Sequence, residues 1–173
     1  NYSGESLIYS LSLPIYPMWA FDFSSLPSSA VIDSATFQTR MWSSSNSGTG
    51  YLVPIRRTGW EWNTCTWRSW KVVGGTRYIW STPGAEHTTH DRWANANSVT
   101  LGDYYHWWAA GGTQYWNTRS LDPTGLQTMI SDGLNGLKLQ YRSGDGIFLN
   151  VWNVRPIITI EYSIASAQQI IVI

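Results

Sequence analysis

Cysteine is almost missing from this chain: Cys65 stands alone, so no internal disulfide can form and no thiolate cluster can hold a metal. Charge is scarce too. Acidic and basic residues together make up 13% of the sequence and balance at 11 each, which removes the positive field that nucleic acid or an anionic membrane surface would need. Lysine is rarest, at two against nine arginines, leaving a surface better suited to planar hydrogen-bonded contacts than to point-charge repulsion. No run approaches the roughly 18–20 apolar residues of a membrane span, and no basic-then-apolar signal segment opens the chain. A chain beginning on Asn1 rather than Met is expected to be a processed product or an excised piece.

What is abundant is aromatic and neutral-polar. There are 12 Trp and 10 Tyr, and Ser, Thr, Asn and Gly take the solvating role that charges usually fill. This composition suits a secreted or particle-surface β protein, and 173 residues suffice for one domain with a full core. The tryptophans concentrate between Gly59 and Trp70. There Cys65 and Trp67 share one strand face, whereas Trp60, Trp62 and Trp70 have the opposite parity, so some tryptophan is expected near solvent or at a second interface.

Period-two patterns predict strands over Leu7–Leu13, Met18–Phe23, Asp33–Met41, Tyr51–Ile55, Leu137–Arg142, Ile147–Val151 and Ile158–Tyr162. In the third of these, Ala35, Phe37, Thr39 and Met41 share one face and Ser34, Thr36, Gln38 and Arg40 the other; in the fifth, Lys138, Gln140 and Arg142 point outward. Gly74 to Pro123 is the least regular stretch and reads as short strands joined by elaborated loops. One short helix is predicted over Thr124–Ser131, started by Asp122-Pro123 and stopped by Asp132-Gly133. Many short strands and a single helix indicate an all-β, two-sheet β-sandwich over residues 1–163, most simply a jelly roll, followed by an apolar tail over 164–173.

Three motifs carry a family resemblance. The first is Ala20-Phe21-Asp22-Phe23-Ser24-Ser25-Leu26-Pro27 followed by Ile32-Asp33-Ser34-Ala35-Thr36-Phe37. The second is Trp60-Glu61 followed by Thr66-Trp67. The third is the helix, Gly133 to Leu139, and Arg155 to Tyr162. In this order and spacing they resemble the DNRLRE-type domain, related to disaggregatase-associated repeats and to carbohydrate-binding jelly rolls, over about Leu7 to Tyr162. The resemblance implies a jelly-roll sandwich and a non-catalytic module of cell-surface, secreted or virion proteins. The aromatic middle and the tail from Ser163 depart from the family pattern, and the motifs transfer no binding residues.

No nucleophile, base and orienting group converge in any motif, so no catalytic activity is expected; a polysaccharide-degrading enzyme using Glu61 as an acid is the least favoured reading. Glu86, His87, His90 and Asp91 form the one metal-like cluster. Its surroundings, Pro83-Gly84-Ala85 and Thr88-Thr89, read as loop, so His87, His90 and Asp91 are weak ligands and no metal is expected. Structural calcium suits an Asp- and Asn-rich jelly roll in kind, but no stretch has the dense oxygen spacing that would name a site.

Tyr104, Tyr105, Trp107, Trp108, Tyr115 and Trp116, with Arg119, have the chemistry either of a sugar platform or of a protein interface. Ile170, Ile171, Val172 and Ile173 tip the balance toward an assembly, because such a run suits an added strand on a neighbour's sheet edge. The tail from Ala165 is expected to be ordered only through another chain. The reading is therefore a structural or adhesive module, a homo-oligomer docking on subunits of an extracellular, cell-surface or virion assembly. A free carbohydrate-binding module recognising polysaccharide is the alternative; no nucleic-acid partner and no membrane span are expected.

Overall fold

In the computed structural model, residues 7–8, 18–42, 48–60, 68–83, 85, 87–92, 103–106, 114–144, 149–150, 156–164 and 167–173 are described. Strands dominate, and the chain is an all-β sandwich with one short helix among the described residues. In order they are β1 (Leu7–Ile8), β2 (Met18–Ala20), β3 (Val31–Trp42), β4 (Gly48–Pro54), β5 (Ser69–Val73), β6 (Thr76–Ile79), β7 (Asp103–His106), β8 (Gln114–Leu121), α1 (Pro123–Ser131), β9 (Gly136–Gly144), β10 (Leu149–Asn150), β11 (Ile157–Ile164) and β12 (Ala167–Val172).

The spine is β3, which is rich in β-branched and aromatic residues: Val31, Ile32, Thr36, Phe37, Thr39 and Trp42. It pairs antiparallel with β8 on one side and with β11 and β10 on the other; β12 then pairs with β11, and β1 with β10. Ala35, Phe37 and Thr39 are buried, while Ser34, Thr36 and Gln38 on the other face are half-buried, as the alternation predicts. Ile32 is buried as well, although it has the parity of the outward set. The reason is a bulge: Ser34 faces Glu161 and Ile32 faces Tyr162, leaving Asp33 as an extra residue that resets the alternation.

The second sheet runs β2-β9-β4-β7. Its inner residues Trp19, Leu52, Leu137 and Leu139 share one core with Phe37, Leu121, Ile158, Ile160 and Tyr162 of the first sheet. Trp19 and Phe21 join the layers, with ring centroids 5.3 and 6.2 Å from Phe37. Helix α1 buries Leu126 and Met129 against this core. Asp122 starts it, its carboxylate accepting from Thr124 N and Gly125 N at 3.1 Å each, and Pro123 opens the first turn. The helix thus begins one residue before its predicted start and ends where expected.

A third layer covers the outer face of the second sheet. Ile55, Trp60, Trp80 and Ala85 form a separate buried cluster, with Met18, Ala20 and Trp70 packed against it. This is the second interface to which the tryptophan parity pointed. It corrects the expectation for Lys138, which does face away from the sandwich core but lies fully buried, its Nζ donating to Ala85 O at 3.2 Å. Burying a lysine demands such a partner.

Strand β12 is the main correction. The tail is not a segment awaiting another chain: β12 pairs with β11 of its own chain along its whole length, from Ile164↔Ala167 to Thr159↔Val172. The domain therefore extends past 163. The predicted strand over residues 9–13, the Ile147 end of the sixth strand, Cys65, Trp62 and Trp67 lie outside the described residues, as do several connections that would define a jelly-roll winding. Among the described residues no helix is long and apolar enough to cross a membrane.

Candidate functional site

The third layer is fastened by one buried carboxylate. Asp91 Oδ1 accepts from Arg57 Nε at 3.1 Å and from Ser81 N at 3.1 Å, and its Oδ2 accepts from Thr82 N at 2.9 Å. Arg57 Nη2 also donates to Ser81 Oγ at 2.5 Å, and the guanidinium carbon lies 5.9 Å from the Trp70 ring centroid. Burial pushes the Asp91 carboxyl up, but the Thr82 and Ser81 amides and Arg57 outweigh it and hold the group below its ordinary value.

That commitment separates Asp91 from the metal-like cluster. His87 and His90 do come together, with ring centroids 4.6 Å apart. Asp91, however, spends both oxygens on the Arg57 network, and His87 Nδ1 accepts from Thr89 N at 3.3 Å. The chain turns here around the His87 carbonyl, which accepts from both Asp91 N and Arg92 N, so the Asp91 side chain serves the layer contact instead of joining the imidazoles. Among the described residues no group of three His, Cys, Asp or Glu side chains is placed to hold a metal ion. Glu61 and Glu86 lie outside the described residues.

The aromatic candidates are divided between two sheets. The backbone puts Tyr104 and Tyr105 on β7, the edge of the second sheet, and Tyr115 and Trp116 on β8, the edge of the first; β7 and β8 touch along the same flank. Trp107 and Trp108 lie outside the described residues. Trp116 is 46% exposed on the outer face of β8, whereas Arg119 belongs to the opposite parity, with Asn117 and Leu121, and its Nε is buried. The structure therefore separates Arg119 from Trp116. In register with Trp116 stands Arg40 of β3, and beyond that pair the outer face continues as a polar row, Thr118 and Ser120 on β8, Gln38 and Thr36 on β3, and Thr159 on β11, with Gln38 Nε2 donating to Thr118 Oγ1 at 2.8 Å. Its signal was present in the polar halves of three alternating strands, but only the register sets them side by side.

At the far edge of the same sheet, the apolar tail residues are sorted by β12. Ile171 and Ile173 turn toward the main core, whereas Ile170 and Val172 are 66% and 64% exposed. Among the described residues β12 has a neighbour on one side only. From Ala167 to Val172 it carries no charge and no proline, the devices that usually blunt a sheet edge. The β5–β6 hairpin also exposes apolar side chains, Val73, Tyr78 and Ile79, but it bears Lys71 and Arg77.

No protein-family model matches this chain, and comparisons with curated proteins and with solved structures find no match.

Proposed function

We propose that this chain is a non-catalytic structural or adhesive module of an extracellular or virion-surface assembly, docking on neighbouring protein subunits. The observation that carries this reading is the uncharged edge of β12, without a neighbouring strand among the described residues, with Ile170 and Val172 exposed along it. Such an edge offers unpaired backbone groups and apolar side chains together, which is the chemistry of strand addition. The low charge of the sequence and its resemblance to DNRLRE-type domains support the same conclusion, and the finer fold we propose is their jelly roll. The non-catalytic part is supported by the use of the carboxylates. Asp22 caps a turn at Ser24 N, Asp33 accepts from Ser163 Oγ, Asp122 caps the helix, Asp91 ties the third layer, and Glu161 accepts from Ser34 Oγ.

A second reading, a carbohydrate-binding module, is favoured by one observation: Trp116 stands exposed on the outer face of β8, in register with Arg40 and beside the hydrogen-bonded Gln38 and Thr118. An aromatic face beside hydrogen-bonding side chains matches the apolar face and polar rim of a sugar ring. Light scattering over a concentration series separates the two. The assembly reading expects an oligomer whose population rises with concentration and is indifferent to Trp116→Ala. A chain that stays monomeric and binds an insoluble polysaccharide, with binding lost in Trp116→Ala, would overturn it in favour of the second.

A further inference from the structure

We infer that β12 is a self-pairing edge: two copies of this chain join their first sheets by antiparallel β12–β12 pairing centred on Ile170. This rests on the assembly reading and names the partner as a second copy. The starting point is Ile173, which exchanges both backbone bonds with Ile158, at 2.7 and 2.8 Å. In an antiparallel pair the N–H and C=O of one residue point to the same side, and the side alternates along the strand. With Ile171 facing Ile160 and Gln169 facing Tyr162, the alternate residues 169, 171 and 173 are spent on β11. Gln168, Ile170 and Val172 therefore direct their backbone groups to the open side.

That pattern is its own complement. An antiparallel copy meets all three open positions at once when Ile170 faces Ile170 and Gln168 faces Val172, which makes three pairs of the doubly bonded type about a two-fold axis. The exposed Ile170 side chain then lies against its mate, with Cβ atoms about 4.5–5.5 Å apart. Charge does not oppose the contact, because β12 has none. The nearest acid in register is Glu161 on β11, opposite Ile170 and held by Ser34 Oγ at 2.7 Å. Three strand spacings of about 4.8 Å would separate it from its mate, beyond the screening length of about 8 Å at physiological salt. A charged partner would find nothing on β12 to pair with. The β5–β6 hairpin, with Lys71 and Arg77, would repel a copy of itself.

The test uses the full chain with Cys65→Ser, so that an added cysteine is the only thiol. Ile170→Cys with a short bismaleimide cross-linker is expected to give a covalent dimer, since Cβ atoms about 4.5–5.5 Å apart are wide for an unstrained disulfide but within the reach of such a linker. Ser120→Cys, exposed on β8 near the other edge, is expected to stay monomeric. Ile170→Pro removes an N–H that β11 does not use, and it is expected to weaken association at least tenfold with the far-ultraviolet spectrum retained. Ile170→Lys, at an exposed position, gives the same reading should the proline disturb the hairpin. If an oligomer forms but is untouched by both substitutions and Ile170→Cys fails to cross-link, β12 pairing is overturned while the assembly reading survives on another surface. If the chain scatters as a monomer at every concentration, both fall.

Discussion

Asp91 shows how much one side chain holds in a protein with few charges. It receives two backbone amides and a guanidinium while fully buried, and those bonds tie the loop around Ser81 and Thr82 to Arg57. Because its folded pKa is depressed, its contribution to stability is complete above the ordinary carboxylate value of 3.8 and is lost as the pH falls through the lowered folded value. Asp91→Asn is expected to cost about 1–3 kcal/mol at neutral pH, the range for depriving buried donors of their acceptor. It should also flatten the acid end of the stability profile; urea titrations at pH 7 and pH 3 check both. A second residue-scale constraint is steric. A Cβ on Gly136 would meet Trp60 Nε1, so Gly136→Ala forces the indole, part of the third layer, out of its seat against β9. The expected loss is about 1–3 kcal/mol, as for other overpacked sites, with a changed near-ultraviolet spectrum from the moved tryptophan.

At the scale of elements, β12 has two faces and two roles. Its inward residues Ile171 and Ile173 pack on the main core, and its outward residues Ile170 and Val172 meet solvent. Deleting Gln168 to Ile173 is therefore expected to destabilise the domain itself. Full burial of an isoleucine contributes about 1.5–3 kcal/mol, and these two are half-buried, so a loss of roughly 2 kcal/mol or more should appear as a lower melting temperature. Unchanged melting would return the strand to the inter-chain role its composition first suggested. The helix and the long strands were easier to read. Asp122-Pro123 and Asp132-Gly133 mark α1 by local chemistry, and β3 declares its faces by alternation. The exception in β3 is instructive: the bulge at Asp33 puts Ile32 and Ala35 on one face, and no single-strand pattern contains that information because it depends on the pairing with β11.

On the scale of the whole molecule, the chain is layered: two sheets around one core, and a tryptophan-rich segment around a second. Sequence by itself determined the class of fold, the helix, most inward faces and the excess of tryptophan over what one strand could bury, because hydrophobic period and turn residues act over a few neighbours. Only the tertiary structure decided that Lys138 is buried beneath Ala85, that Asp91 belongs to Arg57 and not to His87 and His90, that Trp116 and Arg119 part company across β8, and that β12 spends one edge on its own chain and has no neighbour on the other among the described residues. The first two rest on contacts between residues far apart in the chain, 53 positions for Lys138 and Ala85 and 34 for Asp91 and Arg57, of which local pattern carries no record. The last two rest on sheet pairing, because which face of β8 meets solvent and which edge of β12 finds a partner are set by the neighbouring strands.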